Sequence, residues 1–333
     1  GGVIYCRAEY PLAIKRLNIA LDQARAKGYL GSSILGMTGF NFDIYIKEGA
    51  GAFVCGEETA LIESLEGKRG EPRSRPPYPV TNGLWDKPTL VNNVETLANI
   101  PAIIRNGAEW YRSLGTPSSP GTKVYTIMGN VNFSGVIEVP MGITLREVLT
   151  IYAKGIKNNG TFKLAQTGGS SGSVIPASLQ DTPMDYDSLT KAGVALGSGA
   201  LLICDERTCV VDLAITLLKF FRNESCGKCT PCREGTAWMT KILERILDGR
   251  GQLRVVDDSG IALERVVGGE HAREEGDEDE GGDDRQPGAF LHQPGPARAE
   301  LARVVGEVQF EREVLLGVPD LAPQPFHGMK SAL

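Results

Sequence analysis

The sequence predicts an α/β domain, then a small β-rich α+β domain, then a helical module built around a cysteine loop. Three observations carry this. Strand, glycine turn and helix alternate from Val3 to Ile100. From Lys123 the chain becomes a series of short apolar strands. After Asp205 the apolar periodicity turns helical, and three cysteines at Cys-x-x-Cys-x-x-Cys spacing interrupt it.

In the first segment, a strand around Val3 to Tyr5 leads into a helix with Pro11 in its first turn, Leu12, Leu17, Leu21 and Ala24 on one side, and Gly28 as its stop. Asn41 to Glu48 alternates as a half-buried strand. Gly49-Ala50-Gly51 makes a turn, Ala52 to Cys55 reads as a short strand, and Gly56-Glu57-Glu58-Thr59 opens a helix. Pro72 to Pro88, with Arg73, Arg75, Tyr78 and Trp85, is too polar for a core strand and too aromatic for a plain linker, so it reads as an ordered loop over a site. A helix starting near Asn93 carries Val94, Leu97 and Ile100 inward before Pro101, and Gly115 to Gly121 marks a domain boundary.

The second segment has strands at Lys123 to Gly129, Val136 to Pro140, near Phe162 and at Leu201 to Cys204, with a helix from Thr144 to Tyr152, in a β-grasp-like pattern. The helix through Leu217 and Phe221 and that from Ala237 to Leu247 place the cysteine motif between helices. Beyond Val255 the chain is acidic and glycine-rich with few aromatics, a composition that favours disorder, with a weak helical pattern from Val304 to Val318. The divisions expected are 1–115, 122–205, 206–252 and an atypical tail at 253–333.

The 333 residues, 41% of them hydrophobic, can bury a sizeable core. A net charge of −6 argues against a nucleic-acid binder acting through a basic surface, and the longest apolar stretches are short and carry charges, so no membrane span is expected. Gly1 stands where a methionine would, so the chain is expected to start inside a larger reading frame. Seven cysteines, three of them between Cys226 and Cys232, fit a reducing compartment, hence a cytoplasmic location. His271, His292 and His327 all lie in the last third, so no imidazole serves residues 1–270, and no catalytic proton-transfer residue is assigned.

Cys226, Cys229 and Cys232 suit a 4Fe-4S cubane, because a thiolate every third residue, with Gly227 and Pro231 bending the chain, lets sulfurs converge on one cluster. A fourth ligand is needed, and no cysteine follows Cys232. The alternative is structural zinc, which usually takes cysteine pairs set farther apart. Gly49, Gly51 and Gly56 before a helix can cradle a phosphorylated cofactor, while Glu57 and Glu58 serve equally as favourable charges in a first helical turn. Val91-Asn92-Asn93 can grip ribityl or phosphate oxygens, with helix capping the better reading on chemistry alone. Cys6, Cys55, Cys204 and Cys209 read as ordinary buried thiols.

Taken together, GAGAFVCGEETALIESLEGKRGEPRSRPPYP, GLWDKPTLVNNVETLANIP and ESCGKCTPCREGT resemble the NADH-binding flavoprotein subunit of respiratory complex I and its relatives in NAD(P)-linked hydrogenases and formate dehydrogenases. The resemblance covers residues 1–250 and stops near Arg254; Thr167 to Leu189 leans toward the hydrogenase relatives. It implies an α/β FMN and NAD(H) domain lacking its amino-terminal part, a soluble-ligand-binding β-grasp domain and a helical 4Fe-4S bundle. Gly56, Glu57 and Glu58 would line the flavin and nicotinamide pocket, Val91, Asn92 and Asn93 would touch FMN, and Arg75 and Tyr78 stand where the family has Lys and Phe near the dinucleotide. The implied reaction is hydride transfer from nicotinamide to flavin, then single electrons to the cluster and to iron-sulfur partner subunits, in a complex that can be peripheral to a membrane. The family's glycine-rich flavin loop has no counterpart in this sequence, and its fourth cysteine position holds His271 to Arg273. These departures suggest a frameshifted or misassembled carboxyl end and leave an inactive fragment or assembly module as the alternative.

Overall fold

The computed structural model describes residues 1–250 and the strands at 252–256, 262–266 and 313–317. Two compact units emerge, one of residues 1–111, 224–228 and 310–333, the other of residues 112–223 and 229–309.

The first unit opens with β1 (Gly2–Arg7), α1 (Pro11–Ala26) and β2 (Ile44–Gly49), the two strands pairing in parallel. Pro11 sits at the start of α1, where its missing N–H costs nothing, and Gly28, at φ 70°, follows its end. The buried stripe of α1 is Ile14 and Leu21; Leu12, expected inside, is exposed because it lies off the i, i+7 line that meets the strands. Ala52 to Cys55 is a 3-10 turn over Phe53–Gly56 rather than a strand, since Cys55 N–H and Glu57 N–H bond three residues back to Ala52 and Val54.

That turn delivers α2 (Glu58–Leu65), whose Thr59, Ala60, Leu61 and Ile62 are all buried. Tyr5, Cys55, Leu61 and Ile62 form the core here, with Val3, Val54, Leu65, Leu84 and Val91 against it. Burial pushes the Tyr5 phenol up to about 12 although Ser64 accepts or donates at 3.0 Å.

β3 (Thr89–Asn93) runs into α3 (Val94–Asn106), which continues past Pro101 instead of stopping before it. Its start is fixed by Asn93, whose side chain accepts from Glu95 N–H at 2.8 Å. Ile100, expected inward, is exposed. A short α4 (Ala108–Arg112) closes this stretch.

The second unit is built on a five-stranded sheet from β4 (Thr122–Gly129), β5 (Gly135–Pro140), β6 (Phe162–Thr167), β7 (Val174–Pro176) and β8 (Ala200–Asp205), in the order β5-β4-β8-β6-β7. β4 and β8 are parallel at the centre and every other pair is antiparallel. α5 (Leu145–Glu147), continued by a π-turn to Tyr152, starts with a capping box between Thr144 and Glu147. α6 (Tyr186–Lys191) is capped by Asp185.

All six residues of β8 are buried, because both faces of the sheet are covered. Leu201 and Ile203 join the main core with Tyr125, Ile127, Leu145 and Met184. Leu202 and Cys204 face the other way, onto Leu213 and Leu217 of α7 (Val210–Glu224). Cys209, expected buried, is exposed.

α8 spans Thr230–Leu247, so it begins seven residues before the expected Ala237. Pro231 in its first turn favours that early start. The tail, expected to be disordered, contains β9 (Gln252–Val256) and β10 (Ala262–Val266), paired antiparallel, and β11 (Glu313–Gly317), which lies between β1 and β3 and is antiparallel to both. Pairing with β1 and β3 makes Glu313–Gly317 a strand where a helical pattern was expected, since its residues by themselves do not favour strand over helix. The rest of the tail, including the acidic run and the remainder of Val304 to Val318, lies outside the described residues.

Two outcomes follow from the second unit. Leu201→Ala, which empties a fully buried site, should cost about 2–5 kcal/mol in urea unfolding. Burial pushes the Asp205 carboxyl up, but the Arg207 guanidinium and the Arg207 amide outweigh it and hold the group below the ordinary 3.8. Its folded value is depressed, so its stabilisation is complete above pH 3.8 and lost as pH falls through the lower folded value. Asp205→Asn should flatten the acid limb of a stability-versus-pH curve; an unchanged limb would count against it.

Candidate functional site

The polar constellation of the first unit is organised by Glu57. Its carboxylate accepts from the backbone N–H groups of Thr59 at 3.0 Å and Ala60 at 2.9 Å, and from the Thr59 hydroxyl. A carboxylate at a helix amino terminus satisfies orphan amides and the positive end of the dipole. Glu58 is the first helical residue beyond it. Arg75 then spans the two acids, one guanidinium nitrogen on Glu57 and the other on Glu58 at 2.6 Å.

Beside this, Arg73 ties the proline-rich loop to α2. Its backbone N–H donates to Thr59 Oγ1 at 2.8 Å, its guanidinium pairs with Glu63 and with Glu66 at 2.8 Å, and it also donates to the Gly83 carbonyl at 3.0 Å. Burial raises the Glu66 carboxyl, yet bonds from Lys68, Arg73 and the Trp85 N–H outweigh it and leave it below its ordinary value. Glu63 and Glu66 stand one helical turn apart, so the spacing of these acids and of Arg69, Arg73 and Arg75 was the available signal for a loop strapped onto α2.

The glycines have structural duties. Gly49 ends β2 under the Tyr5 ring, where a Cβ would come within 2.7 Å of it. Gly51 adopts φ 89°, a backbone that favours glycine, and its carbonyl accepts from Arg7 at 3.1 Å. Gly56 closes the 3-10 turn before Glu57. Tyr78 is exposed, and its carbonyl accepts from Thr81 and Asn82. Val91 packs against the Tyr5 and Leu61 core, Asn92 is half-buried on β3, and Asn93 Oδ1 caps α3.

This donor set decides which part of a flavin or dinucleotide the site suits. The amides of Thr59 and Ala60 are engaged by the protein's own carboxylate, so the start of α2 offers a phosphate no free pair of donors there. Two carboxylates instead suit hydroxyl and amide donors, such as ribose, ribityl or carboxamide groups. The residues fit the hydroxyl- and amide-bearing part of such a cofactor.

The thiol motif is divided. Cys226 is half-buried in the segment Glu224–Lys228 of the first unit; Cys229 is the N-cap of α8 and Cys232 lies in its first turn, both exposed and both in the second unit. The motif is therefore not wholly between helices. Among the described residues, no three His, Cys, Asp or Glu side chains are grouped to hold a metal ion. Cys226, Cys229 and Cys232 can supply three of the four thiolates of a cubane, at the spacing such a cluster takes. Among the described residues no helix is long and apolar enough to cross a membrane.

Residues 1–102 match the family profile described as the Nuo51 FMN-binding domain, and residues 212–268 match the NADH-ubiquinone oxidoreductase-F iron-sulfur binding region. The second match runs past residue 254, where the resemblance was expected to stop. The chain is 54% identical over 250 residues to NADP-reducing hydrogenase subunit HndC of Solidesulfovibrio fructosivorans, covering 75% of this chain and 51% of that one. It is 49% identical over 265 residues to an NADH-quinone oxidoreductase subunit of Rhizobium meliloti, covering 80% and 63%. A crystal structure of NAD+-reducing [NiFe]-hydrogenase in the air-oxidized state superposes with a TM-score of 0.63 at 40% identity, over 74% of this chain and 40% of that one. The chain thus spans 51% and 63% of the length of these two curated relatives. Two regions of the chain thus match, in order, the FMN-binding and iron-sulfur binding profiles, and the chain is similar over most of its length to this NADH-quinone oxidoreductase subunit and to hydrogenase subunit HndC.

Proposed function

We propose that this chain is part of an NAD(P)H-oxidising flavoprotein subunit that passes electrons to partner iron-sulfur subunits of a larger complex, a complex I or an NAD(P)-linked hydrogenase. The observation that carries the reading is the Glu57, Glu58 and Arg75 constellation inside the region matched to an FMN-binding domain. FMN, when bound, supplies the conversion of two-electron into one-electron chemistry. Glu57 and Glu58 accept from hydroxyl or amide groups of cofactor and dinucleotide, Arg75 balances their charge, and Tyr78 offers an exposed aromatic face for a ring. Gly49, Gly51 and Gly56 shape the backbone beneath them, and Val91, Asn92 and Asn93 line the side nearest β3.

Residues 1–115 form the flavin and dinucleotide domain in this reading, 122–205 a β-grasp domain of the soluble-ligand-binding type, and 206–252 the helical module. The strand order, with a parallel central pair flanked by hairpins, supports the β-grasp assignment. Cys226, Cys229 and Cys232 are cluster ligands in the reading, with the fourth supplied from outside this sequence. The terminal acceptor, quinone or hydrogenase, is set by the partners, and a cytoplasmic location fits the cysteine usage. A second reading, drawn from the three thiols that stand here against the four a cluster takes, is an inactive fragment or assembly module without turnover.

Refolding the full chain with FMN under anaerobic conditions separates the two: the proposal expects retained flavin whose absorption bleaches on adding NADH, and a colourless protein supports the inactive module. Glu57→Gln keeps an oxygen for the Thr59 and Ala60 amides but removes the charge opposite Arg75. It should weaken NADH-dependent bleaching several-fold while shifting stability by less than about 1 kcal/mol. Equal bleaching by the variant would remove Glu57 from the site.

A further inference from the structure

The stretch Arg69 to Arg75 has polar partners on two sides, all within the first unit. On one side are the bonds to α2: Arg73 to Thr59, Glu63 and Glu66, and Arg75 to Glu57 and Glu58. On the other, Arg69 donates to the Cys226 carbonyl at 2.6 Å, and Lys228 donates to the Pro72 carbonyl at 2.6 Å. A third bond reaches the same cysteine segment, since Glu224 accepts from the Phe53 N–H at 3.0 Å, in the turn leading into Glu57.

We propose that Arg69, Lys228 and Glu224 are positioning residues, seating the segment that bears Cys226 on the strap that also holds the Glu57 and Glu58 site, so that a dinucleotide at those carboxylates alters the setting of Cys226. The proposal rests on the flavoprotein reading for its ligand. Arg75 has both arms on the two carboxylates, so a ligand hydroxyl or amide that pairs with them releases it. Without the Arg75 bonds the strap is held to α2 by Arg73, and the change in its setting reaches the other end, where Arg69 and Pro72 hold the cysteine segment. Exposed ion pairs alone are weak, but an amide bound to a carboxylate is charge-assisted, and these contacts converge on five consecutive residues. The strap is bonded to α2 on one side and to the cysteine segment on the other, so a ligand that displaces Arg75 acts on an element that also touches Cys226.

The test uses the full chain, free of iron and loaded with FMN, and follows iodoacetamide labelling with and without NADH. Trypsin cuts after Lys228 and so separates Cys226 from Cys229 and Cys232 for mass spectrometry. NADH should change the Cys226 rate several-fold and leave the exposed Cys209 of the second unit unchanged. Arg69→Gln and Glu224→Ala should each raise the Cys226 rate several-fold and abolish its response to NADH, whereas Glu224→Gln, which keeps an acceptor for Phe53, should behave as wild type. If NADH fluorescence reports binding but the Cys226 rate does not respond, or if Arg69→Gln and Glu224→Ala label like wild type, the proposal is overturned. If NADH does not bind at all, the flavoprotein reading falls and the link to a ligand falls with it. The rates of the two variants in the absence of NADH still decide whether the strap seats Cys226.

Discussion

The carboxylate of Glu57 at the amino end of α2 is the constraint on which the first unit depends. It satisfies the Thr59 and Ala60 amides, which fixes where the helix begins and which way its buried face points. With that face fixed, Leu61 and Ile62 meet Tyr5 and Cys55, and the polar side presents Glu58, Glu63 and Glu66 to arginines of one loop. A single cap thus orders both an apolar core and a polar surface. It also engages the amides that a phosphate would take at that helix terminus and leaves carboxylate oxygens, which are acceptors, in their place.

The second unit depends on a different constraint, the need to cover both faces of β8. A six-residue strand with no exposed position requires a layer on each side, and alternation along the strand supplies one set of side chains to each. Leu201 and Ile203 close the main core; Leu202 and Cys204 need α7. Asp205 follows at once, and its bonds to Arg207 and Thr208 turn the chain out of the sheet toward that helix.

Around the thiols, local helix chemistry and cluster chemistry pull differently. Pro231 and Thr230 favour a helix start, which draws Cys229 and Cys232 onto α8, whereas the Cys226 carbonyl accepts from Arg69 and Glu224, two residues earlier, accepts from the Phe53 N–H. Convergence of thiolates needs an ion to offset their mutual repulsion and four ligands to close the shell. Protein contacts alone give a motif with its first residue anchored and its last two in helical geometry.

Much of this was legible in the sequence, since strand alternation, Pro11 and Gly28 around α1, the Asn93 cap and the cysteine spacing are local signals read over a few residues. The motif blocks likewise sufficed to point to the family. The misreadings are of another kind. Ala52 to Cys55 has strand-like residues but no partner strand; Leu12 is apolar but off the face that β1 and β2 cover; Pro101 breaks one bond without ending α3, because helix on both sides supports it. Composition and pattern by themselves determined which segments prefer helix or strand and which side chains carry chemistry. Only the tertiary structure decided that Arg73 and Arg75 strap the loop onto α2, that Glu57 closes its helix, and that Cys226 is tied to Arg69, because each of these bonds joins residues that only the folded backbone brings within hydrogen-bond reach.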